Sequence, residues 1–173
     1  MFQLENIDAV EYRKKTRQAT IKIMALFIVI GFITATLAVE WFGAYSNNKL
    51  VLNFIGAFIG LMITAMIVKT FFADKAWMKE AIYSWRLKRH LMMITNKIRP
   101  IQEAAQHNDS NALKVMRFYH LGLQQMHKLE DNNAALLDIK AEIKELEDKI
   151  NELGLEANQD HFDPSWIESY HNH

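Results

Sequence analysis

The sequence contains no cysteine. That excludes a disulfide framework, thiol chemistry and cysteine-ligated zinc or iron–sulfur centres. Proline occurs only at Pro100 and Pro164, and glycine six times, so long stretches carry no helix breaker. No alternating β-branched run marks an amphipathic strand outside the apolar segments. Charge is missing altogether from residues 23–39 and from residues 50–68. Catalytic signatures are missing too: there is no H-E-x-x-H, G-x-S-x-G, P-loop or dinucleotide fingerprint. The carboxylates fall on helical faces beside lysines, the pattern of a solvated surface. His120 and His127 are seven residues apart, about two turns or ~10.5 Å along a helix, too far to share a metal. His161, Asp163, His171 and His173 have no defined ligand spacing. The expectation is a chain that is not an enzyme and holds no cofactor and no metal.

What is present is segregated. Over 173 residues the formal net charge is zero and half the residues are hydrophobic, which averages an apolar part with a highly charged one. The first apolar run is IKIMALFIVIGFITATLAVEWF, residues 21–42, and the second is LVLNFIGAFIGLMITAMIVKTFF, residues 50–72. Each meets the ~20 residues a helix needs to cross a bilayer. The link between them, residues 43–49, is rich in turn formers and short enough to impose an antiparallel hairpin. A long mixed-charge segment precedes the first run and Glu-Trp-Phe closes it, which argues for a retained anchor over a cleaved signal peptide. Arg13, Lys14, Lys15, Arg17 and Lys22 precede span one, and eight basic residues lie within positions 69–99, whereas the link holds only Lys49. The positive-inside rule then places both termini in the cytoplasm of a multi-pass plasma-membrane protein.

Small and polar residues in the spans are the first candidate sites. Gly56 and Gly60 stand in G-x-x-x-G spacing with Thr64 one step on, and Gly31 and Ala35 offer a matching pair. Such faces let helix backbones approach closely, either between protomers or within one hairpin. Glu40 and Asn53 lie toward the outer end of the spans, where they suit an interfacial carboxylate hydrogen-bonded to an amide or, in several copies, a polar path. Thr34, Thr36 and Thr64 can bond their own helix backbone.

Residues 74–99 read as a long basic juxtamembrane helix ending before Pro100. Lys79, Arg86, Lys88 and Arg89, mixed with Trp77, Tyr83 and Trp85, suit anionic lipid headgroups, each cation worth ~1 kcal/mol near the surface. The membrane accounts for these charges without nucleic acid. Met78, Ile82, Trp85, Met92 and Met93 are the expected packing face. Asp109 or Ser110 would cap a helix over about 111–131, whose apolar face is Met116, Tyr119, Leu123, Met126 and Leu129. After Asn132-Asn133, the residues Leu136, Ile139, Ile143, Leu146, Ile150 and Leu153 form an a/d seam. That seam serves either a short coiled coil between chains or a helical hairpin with residues 111–131. Gly154 is a natural C-cap. In the tail, Phe162, Trp166, Ile167 and Tyr170 either dock on the domain or anchor a partner. Residues 69–99 carry net charge +6 and residues 100–173 net −8.

The fold class expected is an all-α membrane protein in five parts. They are a cytoplasmic N-terminal segment (1–20), a transmembrane hairpin (21–73), the basic juxtamembrane helix (74–99), a cytoplasmic helical or coiled-coil domain (100–154) and a tail (155–173). The stretches IMALFIVIGFITATLAVEWFG and NNKLVLNFIGAFIG, with the basic Trp-containing neck, resemble an uncharacterised family of small two-span proteobacterial inner-membrane proteins. The resemblance implies an inner-membrane location and carries no catalytic residues. The function expected is a membrane-anchored helical scaffold or interaction module, with the lipid bilayer, further copies of itself or a cytoplasmic protein as partners. The alternative is a small oligomeric channel or transport accessory subunit.

Overall fold

The computed structural model describes residues 1–46 and 48–171. It is mostly helical, with six α-helices among the described residues. The chain divides into two compact units, one made of Met1–Arg13 with Tyr83–His173 and the other of Lys14–Ile82.

The unit Lys14–Ile82 is dominated by the two apolar helices. Helix α1 runs from Ala9 to Phe42. It starts well before the apolar run because residues 9–20 hold no Gly or Pro and Asp8 caps the start, accepting from the Glu11 N–H at 2.8 Å. Helix α2 spans Lys49–Ile67, capped by Asn48, whose side chain accepts from the Val51 N–H at 3.2 Å. A π-helical turn continues it through Val68–Phe72. Both α1 and the stretch Lys49–Phe72 are long and apolar enough to cross a membrane, by length and composition. The buried residues of α2 are Leu52, Gly56, Gly60 and Thr64, spaced four apart, so one narrow stripe faces α1. Beyond the π turn, a 3-10 turn at Ala76–Met78 leads into helix α3, Lys79–Thr95. Its first turn is pinned to α1: Lys15 Nζ donates to Glu80 at 2.7 Å, and Lys22 Nζ lies 4.7 Å above the Trp77 ring.

The other unit is built around helix α5, Ser110–Leu129. It is enclosed on several sides, with Leu113, Val115 and Phe118 fully buried. Asp109 caps it, accepting from the Ala112 N–H at 2.7 Å. That bond, with one donated by the Tyr170 hydroxyl, holds the Asp109 carboxyl below its usual range. Helix α6, Asn133–Glu152, packs along α5, and helix α4, Ile98–Gln106, packs on α5 as well. Pro100 does not follow a helix here. The break falls earlier, at Asn96–Lys97, and Pro100 sits in the first turn of α4, where its missing N–H would have had no intrahelical partner.

Two differences from the sequence reading concern packing. The buried face of α3 in this unit is Tyr83, Leu87, Leu91 and Ile94, while Trp85 and Met92 are exposed. And a strand pair exists where only helix was expected: β1 (Phe2–Gln3) pairs antiparallel with β2 (His161–Phe162), Phe2 opposite Phe162. The rings behind it explain the pairing. Phe162 stacks on Phe118 at 5.2 Å, and Phe2 stacks on His90 at 4.7 Å and meets Phe118 edge-on. The tail therefore docks onto the domain through Phe162 and Ile167, both buried.

Candidate functional site

The small-residue stripe is where backbones come closest. A Cβ added at Gly56 would lie 2.5 Å from Ala35 Cα and 2.6 Å from the Thr34 carbonyl oxygen. One added at Gly60 would lie 2.7 Å from Gly31 Cα. Gly31, Ala35, Gly56 and Gly60 are thus brought together within one chain, and Thr64 is buried one step further along the same stripe of α2. Thr34 donates to the Ile30 carbonyl at 2.9 Å and Thr64 to the Gly60 carbonyl at 2.8 Å, so neither hydroxyl is left as an unpaired polar group. Glu40 and Asn53 are both exposed, and among the described residues no hydrogen bond joins them.

The basic set of the neck divides. Lys88 is committed to Glu130 at 2.5 Å. Arg89 lies 5.3 Å from the exposed Trp85 ring. Trp85, Arg89 and Met92 follow one another at helical spacing on the outward side of α3, with Arg86 exposed beside them. Lys79 is exposed in the first turn of the same helix.

The heptad seam is unevenly used. Ile143 and Ile150 are buried, Leu136, Ile139 and Leu146 are half-buried, and Leu153 is exposed. The buried members belong to the helix that packs on α5, so the seam's centre is occupied within the chain. Between these helices lies a polar pair that the sequence did not announce. Arg117 Nε donates to the Ala157 carbonyl at 2.8 Å, and the guanidinium reaches Glu147 at 3.5 Å. His120 Nε2 stands 3.5 Å from the Glu142 carboxylate. Burial lowers the His120 pKa, Glu142 opposes that shift and Arg117 adds to it. Tyr83 is buried with its hydroxyl donating to Gln125 at 2.7 Å and accepting from the Glu5 N–H at 3.1 Å. The Gln125 amide donates onward to the Glu5 carbonyl, which fastens the N-terminal segment to α5. Desolvation raises the Tyr83 pKa.

A groove of about 530 Å³ runs beside that fastening, lined among others by Leu4, Leu121, Leu136, Lys128, Lys140 and Asp160. Among the described residues no group of three or more His, Asp or Glu side chains could hold a metal ion. His161 contacts Asp160 at 3.2 Å, and Asp163 caps the turn Pro164–Ile167; His173 lies outside the described residues.

Residues 2–167 match the family model described as protein of unknown function DUF3087. The chain belongs to the DUF3087 family. No curated protein and no solved structure matches it. Membership covers both units of this DUF3087 chain and assigns no residue a role.

Sequence reasoning missed several contributors to these sites in the DUF3087 chain. Phe118 lies off the stripe Met116, Tyr119, Leu123 and Met126, and is buried because α5 has neighbours on more than one side. Arg117 and His120 are buried, and nothing in the local sequence marks them so, since arginine is seldom so enclosed. The Lys22–Trp77 contact joins residues 55 positions apart and has no local signal.

Proposed function

We propose that this DUF3087 chain is a non-enzymatic, membrane-anchored helical module. In this reading α1 and α2 form a transmembrane hairpin in a bacterial inner membrane, both termini are cytoplasmic, and the cytoplasmic unit engages a protein partner. The observation that carries the reading is the outward face of the two apolar helices. Phe32 is 74 % exposed, Phe54 70 % and Phe58 63 %, with Ile28, Ile59 and Met66 also exposed. Burying one such side chain is worth about 1.5–3 kcal/mol, so a water-soluble fold would not leave them all out, whereas lipid covers them. The scarcity of Lys and Arg in the link supports the orientation.

The two devices that would serve self-association are engaged inside the chain. The glycine stripe contacts Gly31 and Ala35, and Ile143 and Ile150 are buried in their own unit. That favours a different protein over further copies as the partner, and the Leu4–Lys140 groove is the surface on offer. The channel alternative requires Glu40 and Asn53 to share a lining in several copies.

Cysteine-free sequence makes the test direct. In inverted and right-side-out vesicles, Lys49→Cys should be labelled by an impermeant maleimide from the outer side and Leu137→Cys from the cytoplasmic side. The chain should resist alkaline carbonate extraction and run as a monomer by native mass spectrometry. Release by carbonate, or labelling of both positions from one side, would refute the anchor. A defined oligomer conducting ions, silenced by Glu40→Gln, would establish the channel instead.

A further inference from the structure

We propose that a crevice at the cytoplasmic ends of the two apolar runs binds one anionic phospholipid, and this rests on the membrane-anchor reading. The crevice holds about 260 Å³ and is lined by Lys22, Ile23, Leu26, Phe72 and Trp77. Its lining changes character at one level. Ile23 opens the uncharged stretch 23–39 and Lys22 immediately precedes it, while Phe72 stands just past the end of the uncharged stretch 50–68. Both apolar runs therefore end at this crevice, which is where a phosphate must lie if the runs cross a bilayer.

The walls are fixed by local structure. The π-helical turn Val68–Phe72 widens the end of the second apolar helix, a distortion that commonly accompanies functional sites. It leaves Phe72 against Trp77, ring centroids 5.5 Å apart. The Lys22 ammonium rests 4.7 Å over the Trp77 ring. A cation held on an aromatic face keeps its N–H donors available on the other side, and its flexible stem is already ordered. Glu80, the buried acid one turn beyond Trp77, is bonded to Lys15 at 2.7 Å, so its charge is neutralised. Lys69 and Lys75 add positive charge in the flanking sequence, against Asp74 alone. An apolar floor from Ile23, Leu26 and Phe72 beneath a positioned ammonium suits the acyl chain and phosphate of a lipid, in that order of depth. A free anion would have no use for the floor.

The test is native mass spectrometry of the full chain released from nanodiscs of equimolar phosphatidylglycerol and phosphatidylcholine. One cation near the surface is worth about a five-fold preference. The wild type should keep one phosphatidylglycerol over phosphatidylcholine by about that factor. Lys22→Gln should bring the ratio to about one, and Lys22→Arg should restore it. Lys144→Gln, on the exposed face of α6, should leave it unchanged. Equal retention of the two lipids, an unchanged ratio in Lys22→Gln, or displacement by inorganic phosphate would each overturn the lipid site. Carbonate extraction separates the two failures: a chain that resists it and shows no preference overturns the site alone, and a chain that is stripped overturns the anchor with it.

Discussion

Gly31→Ala and Gly56→Ala should have opposite signs although both glycines line the same helix contact. Alanine exceeds glycine in helix propensity by about 0.8–1.0 kcal/mol, a gain that applies equally at both positions. The difference lies in what the new methyl meets. At Gly31 the nearest atom is the Phe27 ring at 3.4 Å, ordinary contact with a side chain of the same helix. At Gly56 it is the Ala35 backbone at 2.5 Å, against the 3.5–4.0 Å that carbon atoms prefer. The helices would have to separate by about 1 Å, and overpacking of this kind costs about 1–3 kcal/mol. Since the propensity gain cancels between the two variants, Gly56→Ala should be less stable than Gly31→Ala by about 1–3 kcal/mol. Unfolding in mixed micelles, followed by tryptophan fluorescence, measures that difference. Disulfide formation in an Ala38→Cys/Leu52→Cys background reports the geometry, because both positions are buried along the same contact. Oxidation should be slower with Gly56→Ala than with Gly31→Ala. Equal stabilities, or the reverse order, would refute the close approach of the two backbones.

Other outcomes follow from the unit built around α5. Phe162→Ala should cost about 3–5 kcal/mol and make residues 1–8 sensitive to limited proteolysis, because Phe162 holds both the Phe118 stack and the strand pair. His120 titrates below its unfolded value, so the unfolded chain takes up the proton first on acidification. Stability linked to His120 is therefore fully present above about pH 6.5 and is lost as pH falls below it, and a plot of melting temperature against pH should be flatter over pH 5–7 for His120→Gln than for the wild type. A slope unchanged by that substitution would show that His120 is not the titrating group.

The two apolar helices were legible because seventeen or more residues without a charge constitute a signal that needs no partner to interpret. The start of α1 was less so: hydropathy marks Ile21, whereas the helix itself begins at Ala9, where Asp8 caps it. On α3 two apolar stripes compete at helical spacing. Which one is buried depends on α5, where Gly122 admits Leu91 and Leu87 at close range and leaves Trp85 outside. The seam on α6 was readable as a stripe, but only the packing against α5 decides that Ile143 and Ile150 are covered while Leu153 is exposed. The strand pair had no sequence signal at all, since two residues at each end of the chain carry no periodicity.

That strand pair also sets an order of events during synthesis. Phe2 finds its partner only when Phe162 has left the ribosome, 160 residues later. At ~5–20 residues per second the wait is roughly eight to thirty seconds, and both apolar helices are complete well before it ends. Until then the unit built around α5 lacks the Phe162 ring, and residues 161–167 act as the piece that closes its core.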